Sequence, residues 1–251
     1  MIDGDIVLFR AASGSSSKFD FGDVTLESDN QEDLRSRVRE DIQGILELTG
    51  CKDYIFCLSG SRNYRKEHFP TYKTNRVSEK PSGHDALKRW AMDNIKCKYR
   101  HNLEGDDVMG ILCTKYPKEY AIYSIDKDMK TIPTMLWDFH KGHFFKQSIH
   151  AANHFLYTQV LTGDPTDGYK GIPGIGKVKA EKILDGCNTE EEMAAATLGA
   201  YIEYYGYTWI AVDQMQQQLG QARILHHKDY QDLSALGITY LGPLKQLSDN
   251  Y

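Results

Sequence analysis

The chain predicts an α/β fold, with a parallel-sheet domain over residues 1–148 followed by a helical region over 149–251. Three observations carry this expectation. Short apolar runs alternate with amphipathic stretches through the first part, the order of a parallel sheet with crossover helices. After residue 149 the strand-like runs stop and helical spacing takes over. The composition, 41% hydrophobic and 26% charged over 251 residues, is that of an ordinary globular protein with room for a large domain and an appendage.

The elements follow in order. Residues 2–9 (IDGDIVLF) read as a buried strand, and 11–21 as a Ser/Gly-rich loop. Ser28 and Gln31 have capping-box spacing ahead of Leu34, Val38, Ile42, Ile45 and Leu46, a helical stripe that ends at Gly50. Residues 54–58 read as a strand. Residues 104–115 read as a helix with Val108, Ile111 and Leu112 on one face. Strands are expected at 120–125 and 134–139, and helices at 149–161, 177–185, 190–205 and 209–226. In a parallel sheet, sites gather beyond the carboxyl ends of the strands.

A net charge of −5 argues against a general nucleic-acid binder, but the charge is unevenly spread. From Arg62 to Arg100 there are eleven Lys or Arg against four Asp or Glu; from Lys170 to Lys182, four Lys against one Glu. The five Cys form no C-x-x-C pair and read as free thiols of a reducing compartment. With no basic, apolar leader at MIDGDIVLF and no 18-residue apolar run, the expectation is a cytoplasmic protein with no membrane partner.

Eight acids stand in four blocks: Asp3; Glu104, Asp106 and Asp107; Asp126 and Asp128; Asp164 and Asp167. Any one block is explained by capping or solvation. Four blocks at the ends of apolar runs are tolerable together only if cations neutralise them. Hard oxygen donors without Cys or His favour Mg²⁺, with Mn²⁺ able to substitute. Two such ions about 4 Å apart suit in-line attack on a phosphodiester. Basic and aromatic residues interleave from Arg62 to Arg76, including Arg65, Tyr72 and Lys73, a pattern fit for phosphates and unpaired bases. In GIPGIGKVKAEKIL, Gly171, Gly174 and Gly176 mark a tight turn before a helix that opens with Lys177 and Lys179, a grip for phosphates. It is no P-loop, because Val178 stands where a magnesium-binding hydroxyl is needed and a helix precedes the turn. His150 and His154, and the pair His226 and His227, read as ordinary residues.

The stretches MIDGD, RKEHFPTYKTNR, LEGDDVMG, SIDKDMKTIP, LTGDPTDGYKGIPGIG and GQARILHHKDY resemble the flap endonuclease/5′-nuclease family, above all the 5′–3′ exonucleases of tailed bacteriophages. The resemblance implies a PIN-like nuclease domain and a helix–three-turn–helix DNA-binding module, the latter often with a K⁺ ion. It implies one metal group at Asp3, Glu104, Asp106, Asp107 and Asp126, and another at Asp128, Asp164 and Asp167. Lys73 and Arg76 match basic residues near the scissile phosphate, and Tyr72 an aromatic that stacks on the terminal base. The activity implied is 5′–3′ exonuclease or structure-specific 5′-nuclease on duplex DNA with a 5′ end, extending to RNA–DNA hybrids, in phage replication or DNA degradation. Replication proteins would be partners of a monomer in the host cytoplasm. The rival is a non-catalytic structure-specific DNA-binding protein on the same scaffold. Two departures stand out. Gly60 occupies the place of a usual Asp, so one ligand is missing or replaced by water. Only 27 residues separate Arg76 from Glu104, too few for a full two-helix arch.

Overall fold

The structure is a computed structural model that describes residues 1–13, 17–20, 25–28, 30–75 and 80–230, the two segments 17–20 and 25–28 by backbone alone. Arg76, expected at the scissile phosphate, lies outside the described residues, as does the end of the chain from 231 to 251.

The chain opens with β1 (Ile2–Asp3), which turns at once into α1 (Gly4–Ser13). The expected strand over 2–9 is therefore mostly helix. Val7, Leu8, Ala11 and Ala12 are the buried face of α1, and the close approach of Gly4 to Phe56 permits the abrupt turn. A Cβ at Gly4 would lie 2.6 Å from the Phe56 ring. A hairpin of β2 (Ser17–Asp20) and β3 (Thr25–Ser28) replaces part of the expected loop. Then comes α2 (Gln31–Thr49), capped by Asn30 rather than Ser28: the Asn30 side chain accepts from the Glu32 N–H, and Gly50 closes the helix at φ 69°. Next are β4 (Phe56–Leu58), α3 (Tyr64–His68), α4 (His84–Asn94) and β5 (Cys97–Tyr99). The expected helix at the acidic block is α5 (Gly105–Lys115), with Glu104 as N-cap. The sheet resumes with β6 (Ala121–Ile122), β7 (Met135–Asp138) and β8 (His143–Lys146). Then come α6 (Ile149–Thr162), α7 (Lys177–Ile183), α8 (Glu190–Tyr205) and α9 (Thr208–Ala222).

β1, β4 and β5 pair in parallel, with Ile2 opposite Phe56. β6 and β7 pair in parallel, and β8 closes the far edge antiparallel. A bridge between Ile2 and Tyr123 joins the two groups, so the strands run β5-β4-β1-β6-β7-β8. The order reverses between β1 and β6, the place where open α/β sheets form a crevice.

Leu8, Leu34, Val38, Phe56 and Leu87 centre one core cluster. Met109, Cys113, Ile122 and Ile132 centre a second. A third, around Tyr157, Val160, Leu198, Tyr201 and Met215, holds α6 to α9 together. Each fully buried Leu or Phe contributes roughly 1.5–3 kcal/mol of hydrophobic stabilisation. The chain beyond α9 turns back, and Ile224 and Leu225 enter the second cluster. Among the described residues no helix is long and apolar enough to cross a membrane.

Candidate metal and phosphodiester site

The seam between β1 and β6 collects the acids. Asp3 ends β1, accepting from the Ile6 N–H at 3.3 Å and from Ser124 Oγ at 2.7 Å. The same Ser124 Oγ accepts from the Asp126 N–H at 3.0 Å, so one hydroxyl fixes two carboxylate-bearing residues from opposite sides of the seam. Asp126 caps a 3-10 turn (Lys127–Thr131), and its Oδ1 accepts from the Asp128 N–H at 2.8 Å. Gln159 of α6 donates to Asp128 Oδ1 at 2.6 Å. Asp106 projects from the first turn of α5.

Glu104, Asp106, Asp126, Asp128 and Asp167 line one small cleft together with Lys73, Tyr72 and Arg65. Its free volume is about 20 Å³, room for one or two water-sized species. The carboxylates weigh on one another. Burial, with the charges of Asp5 and Asp126, pushes Asp3 up to about 7, against the hydrogen bonds it accepts. Desolvation, then Asp3, Glu104 and Asp126, lift Asp106 well above the usual carboxylate range. Burial and Asp126 raise Asp128 to about 6, although Gln159 opposes them.

Glu104 behaves in the opposite way. Burial disfavours its charge, but Lys73 and Arg65 outweigh that and pull it down to about 2. Lys73 Nζ donates to Oε1 at 2.7 Å; Arg65 and the Tyr72 hydroxyl donate to Oε2 at 3.0 and 2.8 Å. Lys73 sits at φ 54°, the one non-glycine with positive φ among the described residues, and its N–H donates to the Asp167 carbonyl at 2.8 Å. Its ammonium is also 3.8 Å from Asp167 Oδ2. A strained backbone held by a specific bond marks a residue whose direction matters.

Several expected site residues are engaged with protein partners in this structure. Asp107 is fully buried and absent from the cleft lining. Arg65 clamps both its oxygens at 2.7 Å, and the Leu225 and Glu104 N–H groups donate to them as well. In this structure Asp107 anchors the buried guanidinium of Arg65. Arg65, expected on DNA, is 2% exposed, occupied by Asp107, Glu104 and the Arg223 carbonyl. Tyr72, expected to stack on a base, is 4% exposed with its hydroxyl on Glu104. Asp164 is buried in a turn, where Oδ1 accepts from Thr166 N at 2.8 Å and Oδ2 from Lys127 Nζ at 2.6 Å. Lys127 holds it below the usual carboxylate range, although burial opposes this. Gly60 is tightly enclosed by backbone: a Cβ there would lie 2.1 Å from the Arg100 carbonyl oxygen and 2.3 Å from that of His101. A carboxylate does reach the end of β4, that of Asp5, which accepts from Ser59 N at 2.7 Å and Lys88 Nζ at 2.9 Å.

The glycine-rich turn leads into α7 as expected, with Gly176 as N-cap and exposed Lys177 and Lys179 beyond it. Lys177 pairs with Glu181 at 3.8 Å, and Lys179 Nζ donates to the Gly174 carbonyl at 2.9 Å. Gly171 is buried where the turn meets the end of α6, its N–H donating to Gln218 Oε1 at 3.0 Å. Ser124, Gln159, Lys127 and Asp5 escaped the sequence analysis. The SIDKD block contains Ser124 and Lys127, and MIDGD contains Asp5, so the motifs pointed near three of them.

Among the described residues no three His, Cys, Asp or Glu side chains enclose a point where a metal ion would sit. The reason is visible in the bonding: Lys73, Arg65 and Lys127 serve as counter-ions to Glu104, Asp107 and Asp164. The donor set at the seam is all oxygen, and Asp3, Asp106 and Asp128 in it have raised proton affinity, so it nonetheless fits hard divalent cations.

No protein-family model matches the chain. In sequence it is similar to the exodeoxyribonuclease of Enterobacteria phage T3 and the exonuclease of Escherichia phage T7. It is 37% identical to each over 143 residues, covering 52% of this chain and 46% of each relative. The chain thus spans less than half the length of these curated relatives. In structure it is similar to the bacteriophage T5 D15 flap endonuclease crystallised with DNA and metal ions, with a TM-score of 0.53 at 16% identity. The T5 5′-exonuclease with bound zinc gives 0.52 at 17% identity. Both matches cover 93% of this chain and 98% of the other. The chain has the α/β fold of the phage T5 5′-exonuclease, and its sequence resembles the exonucleases of phages T3 and T7.

Proposed function

We propose that the protein is a divalent-metal-dependent 5′-nuclease that hydrolyses DNA phosphodiesters, chiefly from the 5′ ends of duplex. The observation that carries this reading is the cleft where Glu104, Asp106, Asp126, Asp128 and Asp167 meet the ammonium of Lys73. The similarity to phage exonucleases supports it. Asp3, Asp106, Asp126 and Asp128 would hold Mg²⁺ or Mn²⁺, with Glu104 and Asp167 completing the set. Bound ions of this kind supply Lewis-acid stabilisation and an activated water at neutral pH.

The chain's own residues do the rest. Ser124 keeps Asp3 and Asp126 in mutual register. Gln159 orients Asp128. Lys73 is held at the cleft by its backbone bond to Asp167, so its ammonium can pass from Glu104 to the negative charge that develops on the phosphate. Arg76 is assigned the same task from the sequence. The turn before α7, with Lys177 and Lys179, holds duplex phosphates, and K⁺ is proposed at its carbonyls. RNA in RNA–DNA hybrids, a role in phage replication or DNA degradation, and residence in the host cytoplasm extend the same reading.

The test is incubation of 5′-labelled duplex with Mg²⁺, Mn²⁺ or EDTA. Release of label from the 5′ end with either metal, and its loss in EDTA, is the expected result. No hydrolysis with either metal, or hydrolysis that EDTA leaves intact, would overturn the proposal.

A further inference from the structure

Two hollows flank Lys127 and Lys130, and they differ in charge. The first, about 400 Å³, is walled by Trp137, Phe139 and Phe145 and carries the carboxylates of Asp126 and Asp138. The second, about 580 Å³, lies between the 3-10 turn, α6 and the start of α7. Besides the two lysines, His150, His154 and Lys177 line it, and Glu181 is the one acid among its described lining residues. Lys130 is exposed, and its Nζ lies 5.9 Å from the ring centre of Phe155, another lining residue. Lys127 is paired with Asp164, Lys177 with Glu181 and the His150 ring with the Cys187 carbonyl, so among its described lining residues Lys130 and His154 are the donors the groove offers a polyanion.

Its position gives that charge a direction. Gln159 lines the groove and donates to Asp128, so the inner end adjoins the acidic cleft. At the outer end stands Lys177, the first residue of α7 after the glycine-rich turn. His150 and His154, one helical turn apart, both face the groove with rings stacked at 6.2 Å. An imidazole offers an N–H donor in either charge state. Lysine and imidazole donors along a groove bind backbone phosphates without reading sequence.

We infer that this groove is the track of a nucleic-acid phosphate backbone between the acidic cleft and the turn before α7, with Lys130 and His154 as its phosphate contacts. The inference rests on the nuclease reading for the identity of the polyanion. In the hollow on the other side of the lysine pair, with its aromatic wall, the carboxylates of Asp126 and Asp138 offset the two lysines.

The experiment is fluorescence anisotropy of a labelled duplex, in Ca²⁺ to suppress cleavage, at several salt concentrations. The proteins are wild type, Lys130→Glu, His154→Glu and the control Lys118→Glu, an exposed lysine after α5 outside the groove. Each groove variant is expected to raise Kd about fivefold or more at low salt, and Lys130→Glu to flatten the salt slope by about one unit. The control shifts less, and circular dichroism shows every variant folded. Groove variants that shift Kd no more than the control, while wild type binds, would overturn the groove and leave the nuclease reading intact. A wild type that neither binds duplex in Ca²⁺ nor cleaves it in Mg²⁺ would overturn the nuclease reading, and the groove with it.

Discussion

At the residue scale, the arrangement turns on which carboxylates are free to serve a cation. Asp107 and Asp106 are neighbours in sequence with opposite duties. Asp107 is locked to the buried guanidinium of Arg65. Removing one partner of a buried ion pair leaves the other uncompensated and costs about 3–5 kcal/mol. Asp107→Ala is therefore expected to destabilise the whole protein and to weaken DNA binding along with activity. Asp106→Asn relieves repulsion, and is expected to leave the metal-free melting temperature unchanged or raised while abolishing cleavage. Thermal denaturation in EDTA separates them; a loss of stability in Asp106→Asn equal to that in Asp107→Ala would refute the division of labour. Gly60 supplies a second contrast. Its N–H donates to the Leu103 carbonyl at 2.8 Å, and backbone oxygens occupy the space a Cβ would need. Gly60→Ala is expected to cost about 1–3 kcal/mol as overpacking, and Gly60→Asp at least as much. Neither should lower the Mg²⁺ midpoint of cleavage, and a folded Gly60→Asp protein with a lower midpoint would put this position back in the metal shell.

At the element scale, the glycine-rich turn is where backbone geometry decides most. Gly171 has φ 61°, and a Cβ there would lie 2.3 Å from the Gly163 nitrogen. Gly174 has φ 81° but open space around it, and Gly176 has neither constraint. Alanine substitutions should therefore destabilise in the order Gly171, Gly174, Gly176. Gly174→Ala should cost about 1–2 kcal/mol for left-handed backbone alone, and Gly171→Ala more. Melting temperatures of the three variants check the ranking, and an intact Gly171→Ala beside a damaged Gly176→Ala would refute it.

The same scale shows what the sequence disclosed. Helices α5, α6 and α8 were legible because their apolar stripes and caps are local features, as were the turn and the four acidic blocks. The strand expected at 2–9 was a helix because a short apolar run fits either period, and its continuation in Ala11 and Ala12 was assigned to a loop. β8 joins β7 through a local hairpin, with Asp138 opposite His143, that was not expected. The seam between β1 and β6 depends on distant partners, Ile2 and Tyr123. So does the ion pair of Asp107 with Arg65, 42 residues away in the chain.

At the scale of the whole molecule, two sheet halves meet at Ile2 and Tyr123, and the acidic cluster loads that seam with charge. Asp3, buried beside Asp5 and Asp126, holds its proton up to about 7, whereas in the unfolded chain it titrates near 4. Between those values the folded protein binds a proton that the unfolded chain has lost, so Asp3 makes stability fall as pH rises. Buried His226, lowered to about 4, acts in the opposite sense, but its contribution is complete by about pH 6.5. The buried Met1 amino group, also lowered, opposes Asp3 above that pH. The informative quantity is therefore the difference between Asp3→Asn and wild type: His226 and Met1 are common to both, and the relief of Asp106, which the Asp3 charge lifts, adds in the same sense. In EDTA, the melting temperature of Asp3→Asn relative to wild type is expected to climb from pH 5 to pH 8. Saturating Mg²⁺ should reverse the comparison, because bound cations replace the protons in wild type and the variant has lost a ligand. Thermal denaturation of both proteins across that range, with and without Mg²⁺, measures it. A metal-free difference that stays flat with pH would mean that Asp3 titrates as in the unfolded chain and that the seam carries no strained charge. A difference that climbs in EDTA and persists in Mg²⁺ would mean that the strain is real and that Asp3 holds no cation.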